Sequence, residues 1–230
     1  MTMTGILNLE AMAEKKKEQR YHNGMPVDSD EEVLCLMWLE ELMEASYIIK
    51  IERAPTFSLF DGLTNVYETE KQLKTKVKSV EHRQVLLAAH EYTPEFRITW
   101  APKAVGVLIW KFYRDVNEKF NKLFVYTQHV EAPISYIEVK PEFDQNNMTR
   151  AFRINQKWMY EKHELFVNLV LPSKLCEDTF TPAAWFVTRA GKKRAIHWPV
   201  KTVEEYLESL KSQDEPGREC TEADSGETEG

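Results

Sequence analysis

Cysteine is scarce in this 230-residue chain: Cys35, Cys176 and Cys220 lie far apart, with no metal-ligand spacing between them. Free thiols in a reducing cytoplasm are therefore expected, not a disulfide framework. No apolar run approaches the roughly 20 residues needed to span a bilayer. The first residues turn charged instead of forming an apolar secretory core. A cytoplasmic protein without membrane association is the expectation. The six histidines show no His-x-x-x-His spacing that would suggest zinc. There is no Gly-x-x-x-x-Gly-Lys-Ser/Thr loop, so no nucleotide cofactor is expected and any energy coupling would come from a partner. No internal repeat or interdomain linker stands out.

An excess of either charge is also scarce over most of the chain. The formal net charge is −7, but from Gln213 to Gly230 there are seven acids against one base, so that stretch carries −6 and leaves −1 for everything before it. The stretch lacks aromatic residues and cannot bury enough surface to order itself, which predicts a disordered acidic tail over 212–230. A near-neutral body does not exclude nucleic acid, but a local basic patch would have to supply the attraction. What the chain does have is apolar material: 43% hydrophobic residues, with six Trp, nine Tyr and eleven Phe. That suffices for one full-sized domain, expected over 21–211, behind a polar leader over 1–20.

Asp28-Ser29-Asp30 opens a helix. Ser29 with Glu32 fits a capping box, and Leu34, Trp38, Leu39 and Leu42 form an apolar stripe that ends near Ser46. A strand over Tyr47–Ile51 follows. The stretch from Ala54 to Glu81 is polar and reads as irregular, with Lys71, Lys74, Lys76 and Lys78. Strands are predicted over 85–89, 96–100, 104–112, 123–128 and 134–140, then a polar loop from Asp144 to Met148. A helix over Thr149–His163 is supported by Met148, Ala151, Phe152, Asn155 and Met159. Residues 164–171 are apolar on both faces, as a central strand should be, and Pro172 ends them. The extension over 172–211 reads as β-rich, with Trp185-Phe186-Val187 and Ala195–Trp198, before a short helix from Val203 to Lys211 capped by Thr202 with Glu205.

The charged residues that interrupt these segments fall at consistent places. Glu32 is in the first helix, Glu95 at a strand start, and Glu138 and Lys140 at the end of a buried strand before Pro141. Strand side chains alternate between faces, so Glu138 and Lys140 share one face about 6–7 Å apart. Three carboxylates and a lysine suit a Mg²⁺ site, because Mg²⁺ takes hard oxygen ligands at about 2.0–2.1 Å and keeps several waters. Such an ion would polarise a phosphodiester and lower the pKa of a water, with Lys140 orienting that water or offsetting charge in the transition state. Plain structural readings stay open beside these. Glu32 could be only half of a capping box, Glu138 with Lys140 an ion pair at a sheet rim, and Gln156 with Tyr160 a surface pair one helical turn apart. Glu142 and Asp144 read as loop solvation, His90 as structural, and Trp100 and Trp158 as core. Phosphate-holding candidates are Lys71, Lys74, Lys76, Lys78 and Arg83 before the site, Arg150, Arg153 and Lys157 on the following helix, and Lys192, Lys193 and Arg194 in the extension.

Tyr92-Thr93-Pro94-Glu95-Phe96, followed by Ile137-Glu138-Val139-Lys140, resembles the PD-(D/E)XK nuclease superfamily, which includes restriction endonucleases, Holliday-junction resolvases and transposon-end nucleases. The resemblance covers about residues 28–171. It implies an α/β, restriction-endonuclease-like core, a mixed central sheet flanked by helices in the order α-β-β-β-α-β, with a small C-terminal extension. That order is also the one read from periodicity. The resemblance further implies a metal-dependent DNA endonuclease with Mg²⁺ as cofactor and Mn²⁺ able to substitute. Glu95, Glu138 and Glu32 would bind metal, Val139 would lend its backbone carbonyl, and Lys140 would position the attacking water. Gln156 and Tyr160 reproduce the Gln-x-x-x-Tyr pattern of the branch resembling the RecB nuclease domain, which gives Gln156 a catalytic place. The family usually has Asp after the proline, whereas Glu95 is one methylene longer, about 1.5 Å. The spacing is similar to endonuclease subunits of heteromeric transposases and to small phage-encoded nucleases. It implies DNA as partner, in phage DNA processing, recombination or transposon-end cleavage, and leaves a protein partner or homodimer open. The alternative is a catalytically inactive DNA-binding or assembly module on the same fold.

Overall fold

A computed structural model describes residues 20–111, 123–129, 132–142, 148–188 and 190–213. In chain order these form β1 (Arg20–His22) and β2 (Met25–Val27), then helix α1 (Asp30–Glu44). Next come β3 (Ile48–Arg53), β4 (Phe57–Phe60), β5 (Leu63–Gln72), β6 (Val77–Leu87), β7 (His90–Tyr92) and β8 (Phe96–Trp100). Strands β9 (Ile109–Lys111), β10 (Phe124–Tyr126), β11 (Gln128–His129) and β12 (Pro133–Val139) precede helix α2 (Met148–His163). Strand β13 (Val167–Val170) and helices α3 (Pro172–Asp178) and α4 (Val203–Gln213) complete the described chain. The leader through residue 19, the tail from residue 214 and Asp144 lie outside the described residues.

The frame is a five-stranded mixed sheet. β3, β8 and β12 pair antiparallel in that order, and β11 and β13 share the remaining edge of β12. β13 runs parallel to β12, a pairing that no tight turn can make, and α2 supplies the crossover between them. Alternation along the strands sorts the core into two layers. Phe96, Ile98, Trp100, Ile137 and Val139 pack with α1 on one face. Ile134, Tyr136 and Val167 pack with Phe152 and Met159 of α2 on the other. The result is an α/β sheet with helices on both faces.

α1 begins where Ser29 Oγ accepts the Glu32 N–H at 3.1 Å, and the acids of its first turn suit the helix dipole. The expected stripe is buried, and so are Val33, Cys35 and Leu36, because the C-terminal extension covers the side that the sheet does not. Trp38 makes that join: it stacks on Phe180 at 5.1 Å, meets Phe124 edge-on at 5.8 Å, and donates its indole N–H to Thr179 Oγ1 at 2.9 Å. α4 carries the expected capping box, with Glu205 N–H donating to Thr202 Oγ1 and Thr202 N–H to Glu205 Oε2.

Several expectations need correction. Residues 54–81 are not irregular: β4 pairs with β7, and β5 pairs with β6 in a long hairpin inserted between them. That hairpin is exposed on both faces, so it lacks the apolar alternation that marks a half-buried strand. The strand expected over 85–89 is the exposed end of β6 and stops at Leu87. Of the strand expected over 104–112, only β9 (Ile109–Lys111) forms among the described residues, after a helical turn at Pro102–Ala104; residue 112 lies outside them. The extension is helical rather than β-rich. Pro172 opens α3 with its fixed φ, and Trp185 lies in a short helical turn under the Arg194 guanidinium, 3.7 Å from the ring centre. On α2, Ala151 is exposed, not buried. Trp158 is likewise 43% exposed and edge-on to His90 instead of in the core. No helix among the described residues is long and apolar enough to cross a membrane.

One buried polar residue ties β10 to the sheet. Asn168 on β13 accepts from Val125 N–H at 2.8 Å and donates to Val125 O at 2.8 Å and Tyr136 O at 3.0 Å. Asn168→Leu keeps the number of side-chain heavy atoms but removes the acceptor for Val125 N–H and the donor to Tyr136 O, while Val125 O keeps the Ser135 hydroxyl at 2.9 Å. It is expected to lower unfolding stability by about 2–4 kcal/mol, measured by urea denaturation against wild type.

Candidate active site

The ends of β3, β8 and β12 meet at one corner of the sheet. Pro94 has no N–H, so β8 cannot extend its ladder upstream through that residue. The Glu95 N–H donates to Ile137 O at 2.9 Å, which sets Glu95 beside the residue before Glu138. β12 is fully buried along its length. Lys140 N–H still donates to Val170 O at 2.9 Å, and Pro141 then ends the pairing.

Glu138 and Lys140 share a face, as strand alternation requires, and Lys140 Nζ lies 2.6 Å from Glu138 Oε1. The other oxygen of Glu138 accepts from the Tyr92 hydroxyl at 2.8 Å. Burial, and next the Glu138 charge, push the Tyr92 pKa far up, so its hydroxyl remains a donor. Val139 points the opposite way, into the α1 layer.

The residue that organises the other half of the corner is Arg53, at the end of β3. Its Nη1 donates to Glu95 Oε2 and its Nη2 to Glu32 Oε2, both at 2.6 Å. Its Nε donates to Pro26 O at 3.0 Å, and its guanidinium lies 4.9 Å from the centre of the Phe96 ring. Glu32 is therefore held by Arg53 instead of completing the capping box; it reaches Asp28 N–H only at 3.4 Å. Sequence reasoning missed Arg53. No local signal marks it, because the need for counter-charge arises only once packing brings Glu32 and Glu95 together around it.

The corner holds Glu32, Glu95 and Glu138 against Arg53 and Lys140, which leaves one negative charge in excess. That excess falls on Glu95, whose pKa is pushed up to about 7. Burial is the main cause, followed by Glu32 and Glu138, with Arg53 and Lys140 acting in the opposite direction. Among the described residues no group of three or more His, Cys, Asp or Glu is arranged to hold a metal ion. Mg²⁺ often needs only one or two carboxylates beside water and substrate oxygens, and a carboxylate that accepts one hydrogen bond per oxygen keeps lone pairs. Glu95 and Glu138 suit that role.

Gln156 Nε2 donates to Val167 O at 2.6 Å, stapling α2 to β13. Tyr160, one turn on, is 45% exposed. His90 is held by Asn155 Oδ1 at 2.9 Å, the structural role expected of it. Cys35 and Cys176 are buried free thiols, and burial pushes both pKa values up, that of Cys176 to about 12, which keeps them from acting as thiolates. Searches against protein-family models, curated proteins and solved structures find no match to this chain.

Two measurements follow from the charge balance. Arg53→Met leaves Glu32, with 6% of its side chain exposed, without counter-charge, and is expected to cost about 3 kcal/mol. Adding Glu32→Met should restore most of that in a denaturation double-mutant cycle. Glu95 binds a proton more tightly folded than unfolded. Its contribution to stability is present below its ordinary value of 4.5 and is lost as pH rises through about 7. Thermal midpoints in chelator should fall over that window in wild type and fall less in Glu95→Gln.

Proposed function

We propose that this chain is a metal-dependent DNA endonuclease of the PD-(D/E)XK type on a restriction-endonuclease-like core. The observation that carries the reading is the corner itself. Glu95, Glu138 and Lys140 stand at adjoining ends of paired strands, within elements ordered α1, β3, β8, β12, α2, β13. Glu95 and Glu138 would hold the ion, which supplies Lewis-acid polarisation of a phosphoryl oxygen and a water of lowered pKa. Tyr92 fixes the Glu138 carboxylate, and Arg53 fixes Glu95 against α1 through Glu32. The Lys140 ammonium, two residues along from Glu138, orients the attacking water and offsets charge that builds on the phosphate. Gln156 acts at one remove by holding β13 against α2.

A second reading is a non-catalytic DNA-binding or assembly module. It is favoured by the occupied carboxylates: Arg53 sits between Glu32 and Glu95, and Glu138 has a partner on each oxygen.

Nicking of supercoiled plasmid and of branched DNA with Mg²⁺ or Mn²⁺ separates the two. Wild type is expected to nick only with metal, and Glu138→Ala and Lys140→Ala to lose at least about 100-fold in rate. Cleavage that persists in both variants overturns the site. No cleavage by wild type on any substrate favours the non-catalytic module.

A further inference from the structure

The hairpin of β5 and β6 is the largest feature the proposed chemistry does not use. All ten residues of β5 and ten of the eleven in β6 are exposed, so the ribbon projects from the body instead of covering it. At about 3.3 Å per residue it is roughly 30 Å long. A two-stranded ribbon exposed on both faces is marginal by itself in water, which points to a partner.

The register divides its charges. Thr64 pairs with Val85, Val66 with Arg83, Glu68 with Glu81 and Glu70 with Ser79. All three acids of the ribbon therefore lie on one face. The only base there, Arg83, is bound to Glu81 at 2.7 Å. The opposite face has no acid. On it Lys71 stands directly across from Lys78, a like-charge pairing that costs stability in a ladder. Tyr67 stacks on His82 at 5.3 Å, and the Thr69 hydroxyl lies 2.7 Å from His82 Nε2. Asn65 pairs with Gln84 nearer the base. Lys74 and Lys76 add two cations at the tip, and no ion pair among the described residues involves any of the four lysines.

An acid-free face with paired lysines, two amides and a cationic tip matches a polyanion that is read in a groove. A two-stranded β-ribbon is one of the elements that the major groove of B-DNA admits, and Asn and Gln are suited to base edges there. A second copy of the ribbon is disfavoured, because lysines at a tip and along an edge repel their own kind. We propose that the β5–β6 ribbon is an arm for duplex DNA, binding through the Lys71–Lys78 face and the Lys74–Lys76 tip. The identity of the polymer as DNA rests on the nuclease reading; the sorting of charge does not.

The base of the arm links it to the corner. Gly62, with φ +87°, opens the ribbon, and an added Cβ would lie 3.0 Å from Ala89 N and 3.1 Å from Leu87 O. The ribbon thus starts at a position where any other side chain would be strained and crowded by backbone. The chain leaves the ribbon directly into β7, whose Tyr92 holds Glu138.

The test is binding of the full chain to a fluorescein-labelled duplex in chelator, read by anisotropy over a salt series. Lys71→Gln/Lys78→Gln and Lys74→Gln/Lys76→Gln are each expected to weaken Kd about 10-fold or more and to flatten the salt slope by about two. Glu68→Gln/Glu70→Gln on the other face should bind at least as tightly as wild type. Lys174→Gln/Lys211→Gln controls for bulk charge. Wild-type affinity and slope in both ribbon variants, an equal loss in the bulk-charge control, or no duplex binding by wild type would each overturn the arm. Plasmid nicking keeps the two readings apart. Lys140-dependent cleavage with unaltered ribbon variants removes the arm alone, and ribbon-dependent binding without metal-dependent cleavage removes the nuclease alone.

Discussion

Arg53 grips Glu32 on α1 and Glu95 at the head of β8 with separate nitrogens, while its Nε holds the Pro26 carbonyl in β2. Burying a carboxylate such as Glu32 is tolerable only with an opposite charge and good hydrogen bonds. One guanidinium, with several donors in a fixed plane, meets both acids at once. The consequence is mechanical as well as electrostatic. The helix, the edge strand and the central strand are drawn to the same corner, where Glu138 and Lys140 arrive on β12. Two cations against three acids leave that corner short of positive charge, and burial, followed by the Glu32 and Glu138 charges, raises the pKa of Glu95.

The architecture separates holding from gripping. The sheet, buried between α1 and α2, fixes the positions of the corner groups to within hydrogen-bond distances. Tyr92 lies on β7, which is paired to β4 outside the main sheet, yet it meets Glu138 at 2.8 Å. The segment between β4 and β7 is therefore continuous with the corner, and an insertion there can extend far from the body without disturbing the core. The exposed ribbon does so, with its acids on one face and its lysines on the other.

The legible parts of the sequence are those in which at least one side is buried. α1 is legible from Ser29 and its stripe, β8 from Phe96-Arg97-Ile98-Thr99-Trp100, β12 from its apolar run, and α2 from the spacing of Phe152 and Met159. The pairing of Glu138 with Lys140 followed from strand alternation alone. The ribbon was illegible because neither of its faces packs on anything, so no period-2 apolar signal exists. The extension was misread because Trp185 and Trp198, read as strand residues, instead pack around α1 and Thr181, with Arg194 over the Trp185 ring.

The local rules of helix capping, strand alternation and proline termination determined from the sequence that Glu32, Glu95, Glu138 and Lys140 would sit at element ends, though not Arg53. They determined the two-residue spacing that puts Glu138 and Lys140 together, and the order of the core elements. They could not determine which ends meet. Glu32, Arg53 and Glu95 are separated by 21 and 42 residues along the chain, and only the packing of α1 against the sheet makes them one cluster. The same holds for the face of the ribbon that carries each lysine, because cross-strand register, not local sequence, decides which residues stand opposite one another.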